Sequence, residues 1–423
     1  MKKVLFLLSA TIMMAACSKQ ESIENDSASP VKQESKLGIR SYEEALKIAE
    51  SSIPMIDSKE STRGLIDYRK IDYKDKQAYI YDFKTRANTN LNDTLIYVIN
   101  FENNKGFALI SAAKNTEGLL AITEKGHCNV NERSNNPGFE MFIKLAKEYV
   151  TNAYKRLFRD PSDTLISINV VETDVNTVVG PYISTKWGKF HPEGEEFNNN
   201  DAGCTNVAMV QIMSYYNYPT QIDLTYNNSG MLNLNWNAMK THYLGYHFVS
   251  DCGDSTTHSM ISKLIRQIAE HNHSNDSSNE TTTNTFTYAG PTFSILGYNT
   301  SNWENYGKTF IQNQLNMNHL ILIKGHDPDS PSSSGHTWAL DGYKILGTIS
   351  YVYKKIGNGP WVLDEIVDGT IHYNHFNWGY YGSNNGYFSD NVFNLQSYYE
   401  LDTGDHYCYG ILGYNVLLMS AYR

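Results

Sequence analysis

An α+β protein of two units is what this sequence predicts, and three stretches predict it. Between residues 37 and 157, short strand-like runs lie between two helical patterns. From residue 181, a helix-bearing segment is built around the run 201–216. From Asn318 to the C-terminus, the chain reads as strands and turns, so a helical half faces a β-rich half across a cleft. The 423 residues are 41% hydrophobic and 19% charged, enough apolar material for two or three domains. A net charge of −10 supplies no basic face for phosphates, so no nucleic-acid partner is expected.

Residues 1–17 stand apart from the fold. Lys2 and Lys3 precede a short apolar run from Val4 to Met14, too short to span a bilayer, as in a secretory signal. Ala15 and Ala16 before Cys17 resemble a bacterial lipobox, which would make Cys17 the lipidated first residue of the mature chain. Ordinary cleavage after a small residue is the alternative. Residues 18–36 are polar, as expected of a tether. Cys128, Cys204, Cys252 and Cys408 remain, too few for a disulfide scaffold in an exported chain of this size. Pairing of Cys252 with Cys408 stays open. No CxxC pair occurs, so no structural zinc site is expected, and nothing in the sequence calls for a cofactor.

The first unit opens on residues 41–49, an amphipathic helix with Ser41 at the N-cap and Glu44 three residues on, a capping box. Strands are expected at 78–83, 94–101, 106–111 and 118–123, with a hairpin turn at 103–106. Pro137 starts a helix running to about Leu157. Residues 158–180 carry few long apolar patterns and are expected to be an exposed linker with a maturation site. Residues 181–423 form the second unit. Within it, the polar run 271–284 is expected to be a mobile loop. A central strand is expected at 318–325, with further strands at 338–343, 345–353, 361–367, 371–378 and 409–417.

The chemistry-bearing residues lie in this second unit. Gly203-Cys204 is a glycine turn entering a helix whose apolar positions Val207, Val210 and Met213 keep a spacing of three, and which Tyr218-Pro219 ends. A cysteine at a helix start feels the positive end of the macrodipole, which favours thiolate, and the glycine leaves room for a substrate backbone. A small buried cysteine would fit the same pattern. His336 follows Gly335 at the start of a buried strand, a rigid seat for a base with open space on one side. Asn377-Trp378-Gly379 ends another β-run. An asparagine oxygen can hold an imidazole by its second nitrogen and an adjacent Trp can shield that bond, though a β-turn with a core Trp also fits. His336 lies 132 residues after Cys204 and Asn377 a further 41. Papain-type peptidases place His and Asn about 130–150 residues after Cys; His336 fits this window and Asn377 lies beyond it.

Taken together, Ala-Gly-Cys-Thr-Asn-Val-Ala-Met-Val-Gln-Ile-Met-Ser-Tyr-Tyr (202–216), Leu-Asn-Trp-Asn (234–237), Gly-His-Thr-Trp-Ala-Leu-Asp-Gly (335–342) and the block 375–388 resemble the streptopain family of bacterial cysteine peptidases. The resemblance implies a papain-like fold preceded by an α+β inhibitory propeptide, here 37–157, notably Tyr97-Val98-Ile99-Asn100-Phe101 with residues 106–112. It implies a zymogen of a cysteine endopeptidase with protein or peptide substrates and its own propeptide as intramolecular inhibitor. Cys204 would be the nucleophile, His336 the base and acid, Asn377 the orienting residue and Trp378 its shield. One position departs from the family: Lys189 stands where a glutamine is expected to bind the oxyanion. An ammonium can donate to an oxyanion, but losing a well-aimed donor costs a factor of about 10²–10³. A catalytically impaired binding or regulatory protein on the same fold is therefore the alternative. With Cys17, the expected location is the cell envelope, at the outer membrane or cell surface through the lipid anchor, with release possible after maturation.

Overall fold

Antiparallel pairing merges the two units into one sheet. The computed structural model describes residues 38–57, 69–80, 94–157, 165–241, 255–326, 335–355, 359–393 and 415–423. The signal and tether, Cys17, Cys252 and Cys408 lie outside these residues.

In the first unit, helix α1 (Tyr42–Ser52) carries the expected capping box: Ser41 Oγ accepts from the Glu44 N–H and Glu44 Oε2 accepts from the Ser41 N–H. Such a cap stabilises a helix by about 1 kcal/mol. Strands β1 (Ile71–Ile80), β2 (Thr94–Phe101), β3 (Phe107–Ser111) and β4 (Leu119–Thr123) follow in antiparallel order. Asn103 and Asn104 take positive φ in the β2–β3 turn, a conformation asparagine tolerates better than most residues. Helix α2 (Pro137–Leu157) packs across the sheet, and Phe139 and Phe142 meet Phe388 edge-on.

Of the expected linker, residues 158–164 lie outside the described residues, and the rest is not the unpatterned segment expected. Leu165–Val179 forms a long strand, β5, paired antiparallel with residues 343–355 of a later strand. Its alternating Val, Ile and Thr residues fit a ladder, and the neighbour's backbone supplies the partners that sequence periodicity alone left uncertain.

The second unit then runs through helix α3 (Cys204–Tyr216), the ribbon β6 (Gln221–Leu224) and β7 (Gly230–Asn233), and helices α4 (Trp236–Thr241), α5 (Ser255–His271) and α6 (Thr285–Ile295). Short strands β8 (Asn299–Thr300) and β9 (Glu304–Asn305) and helix α7 (Lys308–Asn316) lead to the β-rich half. That half comprises β10 (Leu320–His326), β11 (His336–Lys355), β12 (Val362–Asn377), β13 (Gly386–Ser389), the short helix α8 (Asp390–Phe393) and β14 (Asn415–Tyr422). The paired strands expected at 338–343 with 345–353, and at 361–367 with 371–378, are each one continuous strand, β11 and β12, carrying register shifts.

The sheet order is β1-β2-β3-β4-β13-β12-β11-β10-β14-β8. The junction between units is β4 on β13, with Ala121, Ile122 and Thr123 opposite Phe388, Tyr387 and Gly386. Two core clusters are shared across it: in one, Phe139, Phe142 and Leu109 of the first unit pack with Trp338, Phe376, Trp378 and Phe388 of the second, and in the other, Ala45, Ile110 and Ile122 pack with Leu346, Ile371, Tyr373 and Tyr387. A third cluster, centred on α3 and α5, packs the helical half against Leu320, Leu322, Ala339, Met419 and Ala421 of the β-rich half. The first unit thus completes the core of the second, and its removal would bare apolar surface on β13 and around Phe388.

Side-chain bonds reinforce the junction. His375 on β12 is buried between Asp341 of β11, at 2.6 Å, and Glu124 just beyond β4, at 3.3 Å. Glu124 also meets Lys186 at 3.2 Å. Tyr373 Oη donates to the Leu119 carbonyl at 2.8 Å, and Ser389 Oγ donates to Glu117.

Candidate active site

The turn into α3 decides where Cys204 stands. Gly203 has φ +78°, a conformation that side chains disfavour, and a Cβ there would lie 3.0 Å from Thr281 Cγ2. Asp201 fixes this turn: its Oδ1 accepts from the Gly203 N–H at 2.8 Å and its Oδ2 meets Lys189 Nζ at 3.0 Å. Asn206, one turn into α3, donates to the Ala202 carbonyl at 2.8 Å and accepts from Asn272 at 2.7 Å.

That last contact corrects the expectation of a mobile loop at 271–284. Asn272 and Ser274 bond to Asn206, Asp276 meets Arg266, and Thr281 donates to the Asp201 carbonyl. The polar residues that read as loop composition are spent on hydrogen bonds that build one wall of the site.

Cys204 is the first residue of α3, partly exposed, and lines a cavity of about 790 Å³ together with His336. Lys189, Thr281, Thr285 and Tyr288 also line it, and so do Arg133, Pro137 and Glu140 from the first unit. His336 begins β11 and is buried; its Nε2 faces the Trp378 carbonyl at 3.0 Å. A carbonyl only accepts, so Nε2 carries the proton and Nδ1 is left as the basic nitrogen, a tautomer assigned from the bond. Trp338, at 5.9 Å, lies nearly parallel to the imidazole, and Trp378 is tilted against it at 6.3 Å.

This geometry corrects the role expected of Asn377. Its side chain does not hold the imidazole. Asn377 Nδ2 donates to the Thr185 carbonyl and to Gln211 Oε1, both at 2.9 Å, and its Oδ1 accepts from Gln211 Nε2 at 3.1 Å and from the Gly379 N–H at 3.2 Å. The neighbouring main-chain carbonyl of Trp378 holds the ring instead. Trp378 is itself fixed, its N–H donating to Asn385 Oδ1 at 2.9 Å and its indole N–H to the Asn384 carbonyl at 3.0 Å. Nothing in the residue types separates a side-chain acceptor from a backbone acceptor one residue away. Sequence reasoning missed Gln211, whose one signal is a polar residue inside the apolar stripe of α3.

The electrostatics also differ from the expected thiolate. Burial pushes the Cys204 thiol up; the Thr337 backbone and the Lys189 charge pull it down by less, and Asp201 opposes them. Burial pushes His336 down to about 4, with the Trp378 carbonyl acting against it and Lys189 with it. Desolvation is the largest influence on both groups, and the pair rests as neutral thiol and neutral imidazole near pH 7. Among the described residues no hydrogen bond joins Cys204 to His336. The start of α2 is what crowds the ring: a Cβ on Gly138 would lie 2.5 Å from His336 Cδ2 and 2.6 Å from Trp378 Cε3. Lys189 lies in the cavity wall and uses a donor on Asp201, which leaves N–H groups of the ammonium for another acceptor. Among the described residues no group of three or more His, Cys, Asp or Glu is arranged to hold a metal ion.

Residues 183–388 match the model of the Peptidase C10 family, and residues 28–150 match that of the Spi protease inhibitor. No curated protein matches the chain. Among solved structures, it is similar to a fragment of Prevotella intermedia prointerpain A carrying a cysteine-to-alanine substitution, at 17% identity and a TM-score of 0.49, over 81% of this chain and 98% of that one. It is also similar to active wild-type Prevotella intermedia interpain A cysteine protease, at 14% identity and a TM-score of 0.36, over 59% of this chain and 98% of that one.

Proposed function

We propose that this chain, which matches the Peptidase C10 (streptopain) family over residues 183–388 and an inhibitor model before them, is the zymogen of a cysteine-type peptidase with Cys204 and His336 as its working pair. The observation that carries this reading is the shared cavity: Cys204 at a helix start and a histidine with its Nδ1 free of the Trp378 bond line the same wall.

In the reaction, the Cys204 proton passes to His336 Nδ1 and the thiolate attacks the peptide carbonyl. The carbonyl π pair moves to oxygen, and the Cys204 N–H with the Lys189 ammonium serves that oxyanion. The oxyanion collapses, the C–N bond breaks, and the imidazolium gives its proton to the leaving amine. Water, deprotonated by His336, then hydrolyses the thioester and restores the thiol. Asn377 acts behind Trp378 and not on the ring.

Latency follows from the first unit. It crowds His336 through the start of α2, and burial keeps both groups of the pair neutral. Its departure lets water return, relieves both desolvation shifts and makes ion-pair formation easier. Endopeptidase action on extended protein chains fits an open cleft between two halves. Cys17 anchors the zymogen to the cell envelope through lipid, at the outer membrane or cell surface, a reading supported by the small residues before it.

A second reading rests on Lys189. Its bond to buried Asp201 aims the ammonium partly away from an oxyanion, as in an impaired enzyme kept for binding. Casein turnover and labelling by a thiol-directed peptide reagent decide between them. The peptidase reading expects turnover, labelling at Cys204, and loss of both in Cys204→Ala. Labelling without turnover by the processed chain would favour the binding protein. Unchanged membrane fractionation of Cys17→Ser would remove the anchor.

A further inference from the structure

Three buried side chains behind the site lie in one unbroken chain of hydrogen bonds, and the reaction scheme uses none of them directly. Gln211 sits on α3 seven residues after Cys204, two turns along the same helix. It is fully buried, and it exchanges two hydrogen bonds with Asn377, one in each direction. Asn377 Oδ1 in turn accepts from the Gly379 N–H, and that N–H belongs to the same peptide group whose carbonyl holds His336 Nε2.

Resting on the peptidase reading above, we propose that Gln211 is a positioning residue that ties the nucleophile helix to the Trp378–Gly379 peptide and so aims the carbonyl at His336. The peptide group is conjugated. A bond accepted from its N–H raises the negative charge on its oxygen, and the amide pair behind it fixes the plane. Gly379 takes φ +75° and a Cβ there would lie 3.3 Å from Val207 Cγ1 of α3, so the peptide is wedged against the same helix. Thr185 adds a third tether, its carbonyl accepting from Asn377 Nδ2 at 2.9 Å and its hydroxyl donating to Gln211 Oε1 at 3.4 Å. A shift of α3 therefore reaches Cys204 and the support of His336 together. The carbonyl stabilises imidazolium over imidazole. An aimed carbonyl raises the pH at which the imidazolium, and with it the ion pair, is lost.

Two variants of the full chain test this. Gln211→Glu keeps length and the acceptor for Asn377 Nδ2 but loses the donor to Oδ1. Gln211→Met keeps length without either, in case the carboxylate does not fold at a buried site. The first readout is the pH profile of Cys204 alkylation by iodoacetamide, followed on the peptide containing Cys204, which needs no turnover. The second is kcat and KM on a peptide substrate after processing. The expected result is a reactive pH window narrowed on its alkaline side, that limit falling by about half a pH unit while the acid limit stays. With it, kcat falls by about 10- to 100-fold while KM stays within about twofold. Folded variants with an unmoved alkaline limit, or a loss confined to KM or to thermal stability, would overturn the proposal. A narrowed alkylation window in a chain whose wild type cleaves no peptide would keep Gln211 as the positioning residue and remove hydrolysis as its purpose.

Discussion

Neutralising Glu124 should unlatch the zymogen. Its Oε1 lies 3.3 Å from His375 Nε2 and its Oε2 lies 3.2 Å from Lys186 Nζ, across the β4–β13 junction. At an effective dielectric near 20, opposite charges at this separation attract by about 5 kcal/mol. Burial of the carboxylate opposes this, and it is the largest influence on Glu124; the His375 and Lys186 contacts outweigh it and hold the carboxyl well below the usual range. Breaking a buried pair costs about 3–5 kcal/mol. Glu124→Gln should cost less, about 2–3 kcal/mol, because Asp341 still balances His375 and the amide oxygen still accepts one bond. That is about a 30- to 150-fold rise in the population in which the first unit has swung away.

The assay is the initial rate at which a peptide-based thiol reagent labels Cys204 in the uncleaved full chain, since labelling tracks the open population when reclosing is fast. The pH dependence carries a second signature. Burial opposes charge on His375, but Asp341 and Glu124 together raise it to about 9. Its contribution is fully present below its ordinary value of about 6.5 and is lost as pH rises through about 9. Glu124, held low, contributes above its ordinary value and loses its effect only as pH falls through the lowered one. The latch is strongest between about pH 4.5 and 6.5 and weakens toward pH 9, so mild acid does not open it. Equal labelling of variant and wild type at pH 6, or a ratio that persists unchanged above pH 9.5, would refute the reasoning.

Other outcomes are expected from the same coordinates. Lys189→Gln restores the family's residue yet strands buried Asp201, so it should destabilise by about 3–5 kcal/mol, and adding Asp201→Asn should recover most of the loss in a denaturant titration. Gly203→Ala forces a side chain into positive φ against Thr281 and should cost about 1–3 kcal/mol while slowing Cys204 alkylation; unchanged stability and labelling would mean the turn relaxes freely. Limited proteolysis of the folded chain should leave 165–179 intact, because that backbone is paired along β11; N-terminal sequencing that places a new terminus inside it would show that the ladder opens. The isolated segment 37–157 should inhibit the processed enzyme reversibly, and since the two units share a core, a segment shown to be unfolded would explain a flat rate curve without touching the latch.

The capping box at Ser41, the helix from Pro137, the strands 94–101 and 119–123 and the helix behind Cys204 were all legible in order, because each is written in local chemistry: a cap, an apolar period, a turn. The nucleophile and base candidates were legible for the same reason, since Gly-Cys before an apolar helix and Gly-His before a buried strand are local patterns. Residues 165–179 and 271–284 misled for one shared reason. Each is ordered by partners distant in sequence, β11 in the first case and Asn206 with Asp201 in the second, and composition records none of them.

The sequence by itself determined which residue types stand at the helix start, the strand start and the β-turn, and so the class of chemistry they support. Tertiary structure alone decided that the Trp378 carbonyl, and not Asn377, holds His336, because the chain past the end of β12 turns that carbonyl to the ring while the Asn377 side chain is spent on Gln211, Thr185 and Gly379. It alone decided that Gln211 reaches Asn377 across 166 residues of chain. It also decided the charge state of the pair: the neighbouring lysine is visible in the sequence, but the desolvation that governs Cys204 and His336 is not, because burial is a property of the assembled chain.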